Sequence, residues 1–221
     1  FHGMADGLKL LLKEDFKPVT YDRLAYVLGP WVVFVPVMLV FAVIPFGGML
    51  DPGRLFPSLA DWFGGRTYPM QIAPLDAGLL VVFAFGGISI IGAMLAGWSS
   101  SNKFSMLGAL RAGSQMISYE LVMGLTVLGL ILIYGTVDMT SIVERQSGTV
   151  LGFLPAWGIV YQPLAAILFL TAGIAENKRI PFDLPEAESE LISGYLTEYS
   201  AMKQGMFMLS EFIEIAIIAA L

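Results

Sequence analysis

Cysteine is absent from the chain, and histidine occurs once, at His2. Without them the usual ligand sets for zinc, copper, haem and iron–sulfur clusters cannot be assembled, and disulfides are excluded. Any electron transfer in which the chain takes part therefore runs through groups held elsewhere. Charge is the second scarcity: 14% of residues are charged, against roughly a quarter in soluble domains. Hydrophobic residues reach 57% and the mean hydropathy is +0.76, which puts the chain in a bilayer. The net charge of −6 then matters less as a global field than through where the 18 acidic residues sit.

What is present is a set of long apolar runs. A hydrocarbon core of roughly 30 Å needs about 20 helical residues to cross it. Leu24 to Phe46, Ala77 to Asn102, Leu121 to Val137 and Val150 to Ala175 carry no charge, and a fifth run begins near Gln204 and is still apolar at Leu221. Each is longer than a buried strand and none alternates with a period of two, so all five read as helices. The pattern predicts an all-α, polytopic membrane helix bundle, one membrane domain over 1–221, with transmembrane helices at 24–46, 75–97, 114–137, 156–176 and 204–221 plus short surface helices. Because the chain opens on Phe1 and its last run is unbroken, it is expected to be a fragment of a longer membrane protein. Pro30, Pro36 and Pro163 fall inside spans and are tolerated where neighbours satisfy the freed carbonyls. Gly86, Gly87, Gly92 and Gly97 form a small-residue stripe whose plain reading is close helix packing.

Nine of the twelve cations fall on alternate connections: Lys9, Lys13, Lys17 and Arg23, then Lys103 and Arg111 in a loop over 98–114, then Lys178, Arg179 and Lys203. These connections mark the cytoplasmic or matrix face, so the stretch 177–203 is a cytoplasmic acidic loop and the 47–74 connection lies outside. Residues 3–13 set Met4, Ala5, Leu8, Leu11 and Leu12 against Asp6, Lys9 and Lys13. That pattern suits an amphipathic helix on the membrane surface, or equally a packing helix.

The carboxylates carry the functional signal. Residues 176–200 hold six of them, Glu176, Asp183, Glu186, Glu188, Glu190 and Glu198, between two apolar segments. Acids so close to hydrocarbon are costly to keep ionised, and repulsion among them couples their titrations. Glu120 sits in an otherwise uncharged helix; entry near Ser114 would put it roughly 9 Å inside. Glu211 and Glu214, three apart, complete an inward-facing set with Glu176. For each acid alone, a snorkelling or hydrogen-bonded carboxyl near an interface is the plain alternative. Asp183 with Glu186 three residues on, and Pro185 between them, has the form of a capping box, so a helix is expected from there toward Ser193.

The run Arg-Ile-Pro-Phe-Asp-Leu-Pro-Glu-Ala-Glu-Ser-Glu-Leu at 179–191, followed by Gly194-Tyr195 and Thr197-Glu198-Tyr199-Ser200, closely resembles the signature of the H-subunit family of NADH-quinone oxidoreductases (respiratory complex I), equivalent to mitochondrial NADH-ubiquinone oxidoreductase chain 1. Ala5-Asp6-Gly7-Leu8-Lys9, Ile44-Pro45-Phe46-Gly47, Gly97-Trp98-Ser99-Ser100 and Ile117-Ser118-Tyr119-Glu120 agree with it. By that resemblance, the family's first transmembrane helix and those after the fifth span counted here are expected to lie outside the given sequence.

The resemblance implies a membrane subunit of a proton-pumping NADH:quinone oxidoreductase, forming part of the quinone chamber and passing the effect of quinone reduction into the membrane arm. Glu120, Glu176, Asp183, Glu186, Glu188 and Glu198 would be its coupling acids; Arg179, Phe182, Asp6 and Lys9 would lie on the quinone side. It implies no cofactor or metal on this chain, with quinone as substrate and NADH, FMN and iron–sulfur clusters in partner subunits. The partners would be other complex I subunits and the bilayer, not nucleic acid. It also implies a multi-pass protein of the bacterial or mitochondrial inner membrane. Two rivals are the equivalent subunit of a membrane-bound hydrogenase or another complex I-like oxidoreductase, against which the intact Pro-Phe-Asp-Leu-Pro-Glu-Ala-Glu run speaks, and a stand-alone secondary transporter, which would usually show an internal repeat.

Overall fold

A computed structural model describes residues 2–51, 67–150, 152, 154–185, 190 and 192–221. The elements run α1 (His2–Leu12), α2 (Arg23–Val43), β1 (Met49–Leu50), β2 (Tyr68–Pro69), α3 (Gly78–Ser99), α4 (Lys103–Tyr134), α5 (Met139–Gln146), β3 (Thr149–Val150), β4 (Leu154–Pro155), α6 (Gly158–Tyr161), α7 (Pro163–Glu176), a 3-10 turn (Gly194–Leu196) and α8 (Ala201–Ala220). The strands form two small antiparallel ribbons, β1 with β2 and β3 with β4. The other described elements are helices and turns.

Among the described residues three helices, α2, α3 and α4, are long and apolar enough to cross a membrane. The other two expected spans are helices of a different kind. Apolar α7 has 14 residues, only about 21 Å at 1.5 Å per residue. Short α6 precedes it, and the two are separated at Gln162, which is not helical (φ −136°, ψ 71°). In α8, 20 residues long, Lys203, Glu211 and Glu214 interrupt the apolar sequence. On α4, Leu121, Leu125, Leu128 and Leu132 stay exposed at spacings of four, three and four. That stripe belongs against lipid or protein rather than water.

Helix boundaries follow local chemistry. Asp22 caps α2, its carboxylate accepting from the Leu24 and Ala25 amides at 3.0 and 3.1 Å. The helix stops at Val43 because Ile44 precedes Pro45 and takes extended geometry. Pro30 removes the donor that would bond the Tyr26 carbonyl; the Tyr199 hydroxyl donates there instead, at 3.1 Å. Burial raises Tyr199 to about 12, so the phenol stays a neutral donor.

One boundary departs from expectation. The charge pattern places Lys103 and Arg111 in a loop over 98–114, but α4 begins at Lys103, so both cations ride on its first turns. The reason is Asn102, whose side-chain oxygen accepts from the Phe104 amide at 3.0 Å and starts the helix there. At the other end Gly135, in the left-handed region at φ 66°, closes α4 with its amide on the Ile131 carbonyl at 2.7 Å. The expected helix from Asp183 toward Ser193 falls partly on 186–189 and 191, outside the described residues. It does not reach Ser193: Ile192 turns at φ 67° and a 3-10 turn follows.

Packing closes the bundle. Helix α2 lies between α3 and α8, while α4 lies between α3 and α7. Gly173 brings α7 against Ile218 of α8: a β-carbon there would stand 2.7 Å from Ile218 Cγ2. At one end, Tyr26 and Tyr199 stack at 4.4 Å, and Phe207 meets both Tyr195 and Tyr199 edge-on. Each such pair adds about 0.5–1.5 kcal/mol beyond its buried area. The cluster pins residues 194–200 to the helices, as does the Tyr26 hydroxyl, which donates to the Glu198 carbonyl at 2.7 Å. Helix α1 rests on α8, with Leu10 half-buried and Leu8, Leu11 and Leu12 exposed. The helix thus packs on one side and leaves its leucine face uncovered.

Candidate functional site

Five helices surround one small cavity of about 60 Å³. Val37 and Val40 of α2, Val82, Phe83, Gly86 and Ser89 of α3, Met123 of α4, Phe169 of α7 and Ile217 of α8 make most of its wall. Into this apolar lining come three carboxyls, Glu120 from α4, Glu176 from α7 and Glu214 from α8. The volume admits a few water molecules, for which three carboxyls and a serine are sufficient partners. A larger cavity of about 490 Å³ lies toward the other end, between α4, α5, α7 and the end of α8. It is lined by uncharged residues, with Gln146 and Gln162 its most polar, so acid–base chemistry belongs to the smaller one.

The glycine stripe explains where the Glu120 carboxyl goes. A β-carbon on Gly87 would stand 3.4 Å from Glu120 Oε1 and one on Gly86 3.5 Å, so the acid lies in a notch that these two residues leave on α3. Gly92 and Gly97 do what the packing reading of the stripe expects. A β-carbon on Gly92 would come within 2.8 Å of the Val33 amide, and one on Gly97 within 2.6 Å of the Ser105 carbonyl. The stripe is therefore half packing and half site.

Glu176 is the most enclosed acid among the described residues. It is 8% exposed, and its Oε2 has no hydrogen-bond partner among the described residues. The chain then leaves α7 through Asn177, which donates to Gly173 O at 2.8 Å, and through Lys178, held at φ 52°. Lys178 turns back into the protein, donating to the Tyr195 hydroxyl at 2.5 Å and to Glu211 Oε1 at 3.1 Å; Tyr195 donates to the same Oε1 at 3.1 Å. Burial opposes the charge on Lys178, but the Tyr195, Glu211 and Glu214 oxygens beside it outweigh that and hold its ammonium well above the ordinary lysine value.

The next residues form a separate surface. Gln115 on α4 donates to the Ala175 and Phe182 carbonyls at 2.9 and 2.6 Å, which ties the segment after α7 to α4. Phe182 meets Tyr119 edge-on at 5.6 Å, and the exposed Arg179 guanidinium lies 5.6 Å from the Phe212 ring. Asp183 is half-buried, with Oδ1 lacking a partner among the described residues.

The acids expected as one group are thus divided. Glu120 and Glu176 share the cavity; Asp183 lies on the loop with Arg179 and Phe182. Glu198 is elsewhere, its Oε1 accepting from the Asn102 amide group at 2.7 Å. Glu190 pairs with Arg111 at 2.6 Å on the exposed surface, where such a bond adds little. Glu186 and Glu188 lie outside the described residues. Asp6 and Lys9 both belong to α1; Lys9 is exposed, and the side chain of Asp6 is outside what is described.

Lys178 and Glu214 belong with the site although neither is among the coupling acids that the resemblance implies. Glu214 carries a usable signal along the chain, an acid deep in an apolar helix. Lys178 carries none, since a cation beside Arg179 in a polar connection looks like any solvated residue.

The family described as NADH dehydrogenase matches residues 1–221. In Geobacter metallireducens, the NADH-quinone oxidoreductase H subunit numbered 1 is 44% identical over 218 residues, covering 99% of this chain and 61% of the relative. The corresponding H subunit of Thermomicrobium roseum is 43% identical over 221 residues, 99% of this chain and 62% of its own length. In Cytophaga hutchinsonii, the H subunit numbered 1 is 41% identical over 217 residues, 98% and 58% respectively. The chain therefore spans less than two thirds of the length of these relatives.

Proposed function

Because this chain belongs to the NADH dehydrogenase family, we propose that it serves as a membrane subunit of a proton-pumping NADH:quinone oxidoreductase. In this reading its five helices α2, α3, α4, α7 and α8 cross the inner membrane, with the 177–203 connection on the cytoplasmic or matrix side. Partner subunits carry NADH, FMN and the iron–sulfur clusters, and this chain lends one wall to the chamber in which quinone is reduced. Arg179 and Phe182 lie on that wall, with Asp6 and Lys9 of α1 at its approach. Asp183, Glu186, Glu188 and Glu198 respond to charge arriving in the chamber, and Glu120 and Glu176 carry the response inward.

The observation that supports this most is the sharing of one small cavity by Glu120 and Glu176, carboxyls from two helices. Ionising every acid around so small a volume would set like charges together in apolar surroundings, at a cost of several kcal/mol. Such a set exchanges protons among its members more readily than it loses all of them. Arrival or departure of charge at one end then shifts occupancy at the other and can bias a conformational switch.

The test replaces Glu120, Glu176 or Asp183 with its isosteric amide in the assembled enzyme. Quinone reduction and proton pumping are then measured side by side. Glu120→Gln and Glu176→Gln are expected to depress pumping, and with it turnover, while assembly and the redox centres of the partner subunits stay intact. Normal rates of both processes would remove that residue from the pathway.

A further inference from the structure

Ser200 stands at the N-cap position of α8, yet its side chain makes no capping hydrogen bond to that helix. Serine in such a position ordinarily satisfies one of the free amides of its own helix. Here the buried hydroxyl serves a distant stretch of chain, accepting from the Phe16 amide at 2.8 Å and donating to the Glu14 carbonyl at 3.2 Å. Ala201, the next residue, is held in the left-handed region at φ 55°, where residues with a β-carbon are uncommon. The start of α8 thus departs twice from local preference, and such departures mark places where another requirement takes precedence. Within the same first turn, Lys203 pairs with Asp15, its Nζ 2.8 Å from Oδ2 and 3.1 Å from Oδ1, and lies 4.9 Å from the ring of Tyr26 on α2. Glu14, Asp15 and Phe16 all belong to the connection between α1 and α2. Helix α1 itself rests on α8 with Leu10 against Gly205, in ordinary contact, and leaves Leu8, Leu11 and Leu12 exposed.

We infer that Ser200 and Lys203 are positioning residues for quinone entry: by gripping residues 14–16 they fix the seat of α1, whose uncovered leucine face borders the approach to the chamber. Both act through α1 rather than on quinone. The grip combines a buried hydroxyl that engages backbone groups on both sides of Asp15 with a charge pair on Asp15 itself, so the connection is held in place and in rotation. Released from it, α1 would visit several seats. A ligand that needs one of them binds more weakly in proportion to the fraction of molecules in which that seat is populated. Quinone is the ligand concerned because its tail is hydrocarbon, the chemistry that an exposed face of Leu8, Leu11 and Leu12 accepts. Conversion of quinone already bound depends on the chamber and not on α1, so its rate is retained.

The placing of α1 at the approach rests on the function proposed above, and the experiment separates the two. Ser200→Ala, Ser200→Thr, Lys203→Met, the charge-swapped pair Asp15→Lys with Lys203→Asp, and Leu11→Trp are made in the assembled enzyme. KM and kcat are measured with NADH and decylubiquinone, amide exchange is followed over residues 10–17, and NADH oxidation by ferricyanide reports on the partner subunits. Ser200→Ala and Lys203→Met are expected to speed exchange at 14–16 and to raise KM for decylubiquinone roughly three- to tenfold, the size of one lost hydrogen bond. The kcat and the ferricyanide rate should be retained. Ser200→Thr, which keeps the hydroxyl, should hold KM near its original value, and the charge-swapped pair should recover much of what Lys203→Met loses. A purely structural role would instead lower kcat and leave KM in place. An unchanged KM in both Ser200→Ala and Lys203→Met, or a loss of kcat without a rise in KM, overturns the inference; Lys203→Met carries the test alone if Ser200→Ala does not assemble. If Leu11→Trp leaves KM unmoved, α1 does not border the approach, and that part of the proposed function fails together with the inference. If Leu11→Trp raises KM and the grip variants do not, only the inference falls.

Discussion

The Lys178 ammonium lies 3.1 Å from Glu211 Oε1, an ion pair whose side chains are 6% and 14% exposed. One partner ends its turn in the left-handed region just after α7, and the other sits in the middle of α8. The pair, with Tyr195 between its members, joins the end of α7, the 3-10 turn and α8 at one enclosed point.

Lys178→Met leaves the Glu211 carboxylate enclosed without its cation, and loss of one partner from a buried pair costs about 3–5 kcal/mol. The expected result is a complex that assembles poorly or melts at lower temperature. Lys178→Met combined with Glu211→Gln should recover much of the loss, since no unpaired charge remains. Thermal melting of the solubilised complex checks both. Additive losses in the double variant would show that the pair is not the cause.

Two glycines on α3 should respond in opposite ways. Gly97→Ala drives its methyl into Ala109 and the Ser105 carbonyl of α4, and overpacking of this sort costs about 1–3 kcal/mol. Gly87→Ala has ordinary contact room, but it walls one side of the Glu120 carboxyl. The first variant should impair assembly. The second should assemble normally and alter pumping, measured as proton uptake per quinone reduced.

Asn102 has two duties, capping α4 through its oxygen and donating to Glu198 through its nitrogen. Asn102→Asp keeps the cap and sets a carboxylate against Glu198. Asn102→Ala loses both, with about 1 kcal/mol attributable to the cap. If Glu198 takes part in coupling, Asn102→Asp should disturb quinone reduction more than it disturbs melting temperature. Equal effects on both would make the contact purely structural.

Asp138 lies below the ordinary aspartate value of 3.8, chiefly through the hydrogen bond from the Ser141 hydroxyl and further through the Thr140 and Ser141 amides; partial burial opposes the shift. A depressed carboxylate stabilises the folded state fully above its unfolded value, and this contribution fades as pH falls through the lower folded one. Amide exchange at the start of α5 should therefore accelerate as pH falls below about 4. Asp138→Asn should weaken this dependence. Exchange in α5 that is indifferent to both changes would refute the capping role.

Much of this was legible in the residues. Uncharged runs long enough for helices gave α2, α3 and α4, and the composition alone implied a bilayer. Acids beside hydrocarbon are expensive, and of the acid strip Glu176 is the one that lines the shared cavity. What pattern could not supply was partnership. Glu211 and Glu214 have the same local signature, and only the tertiary structure brings hydrogen bonds from Lys178 and Tyr195 to Glu211. Likewise, Asn102 shifted the start of α4 by a local cap that outweighed the charge-based placing of a loop.

Helix type, length and apolar character are local properties, set by propensity, proline and capping, so the amino-acid order determined them together with the absence of redox ligands. Which carboxyls meet is a different matter. Glu120, Glu176 and Glu214 come from three helices, and nothing along the chain specifies their rotation about one another. The approach of α3 to α2 and α4 at Gly92 and Gly97, and of α7 to α8 at Gly173, decided it. Side-chain volume at those crossings sets how the helices turn, and with it which acids face a common cavity and which face a cation.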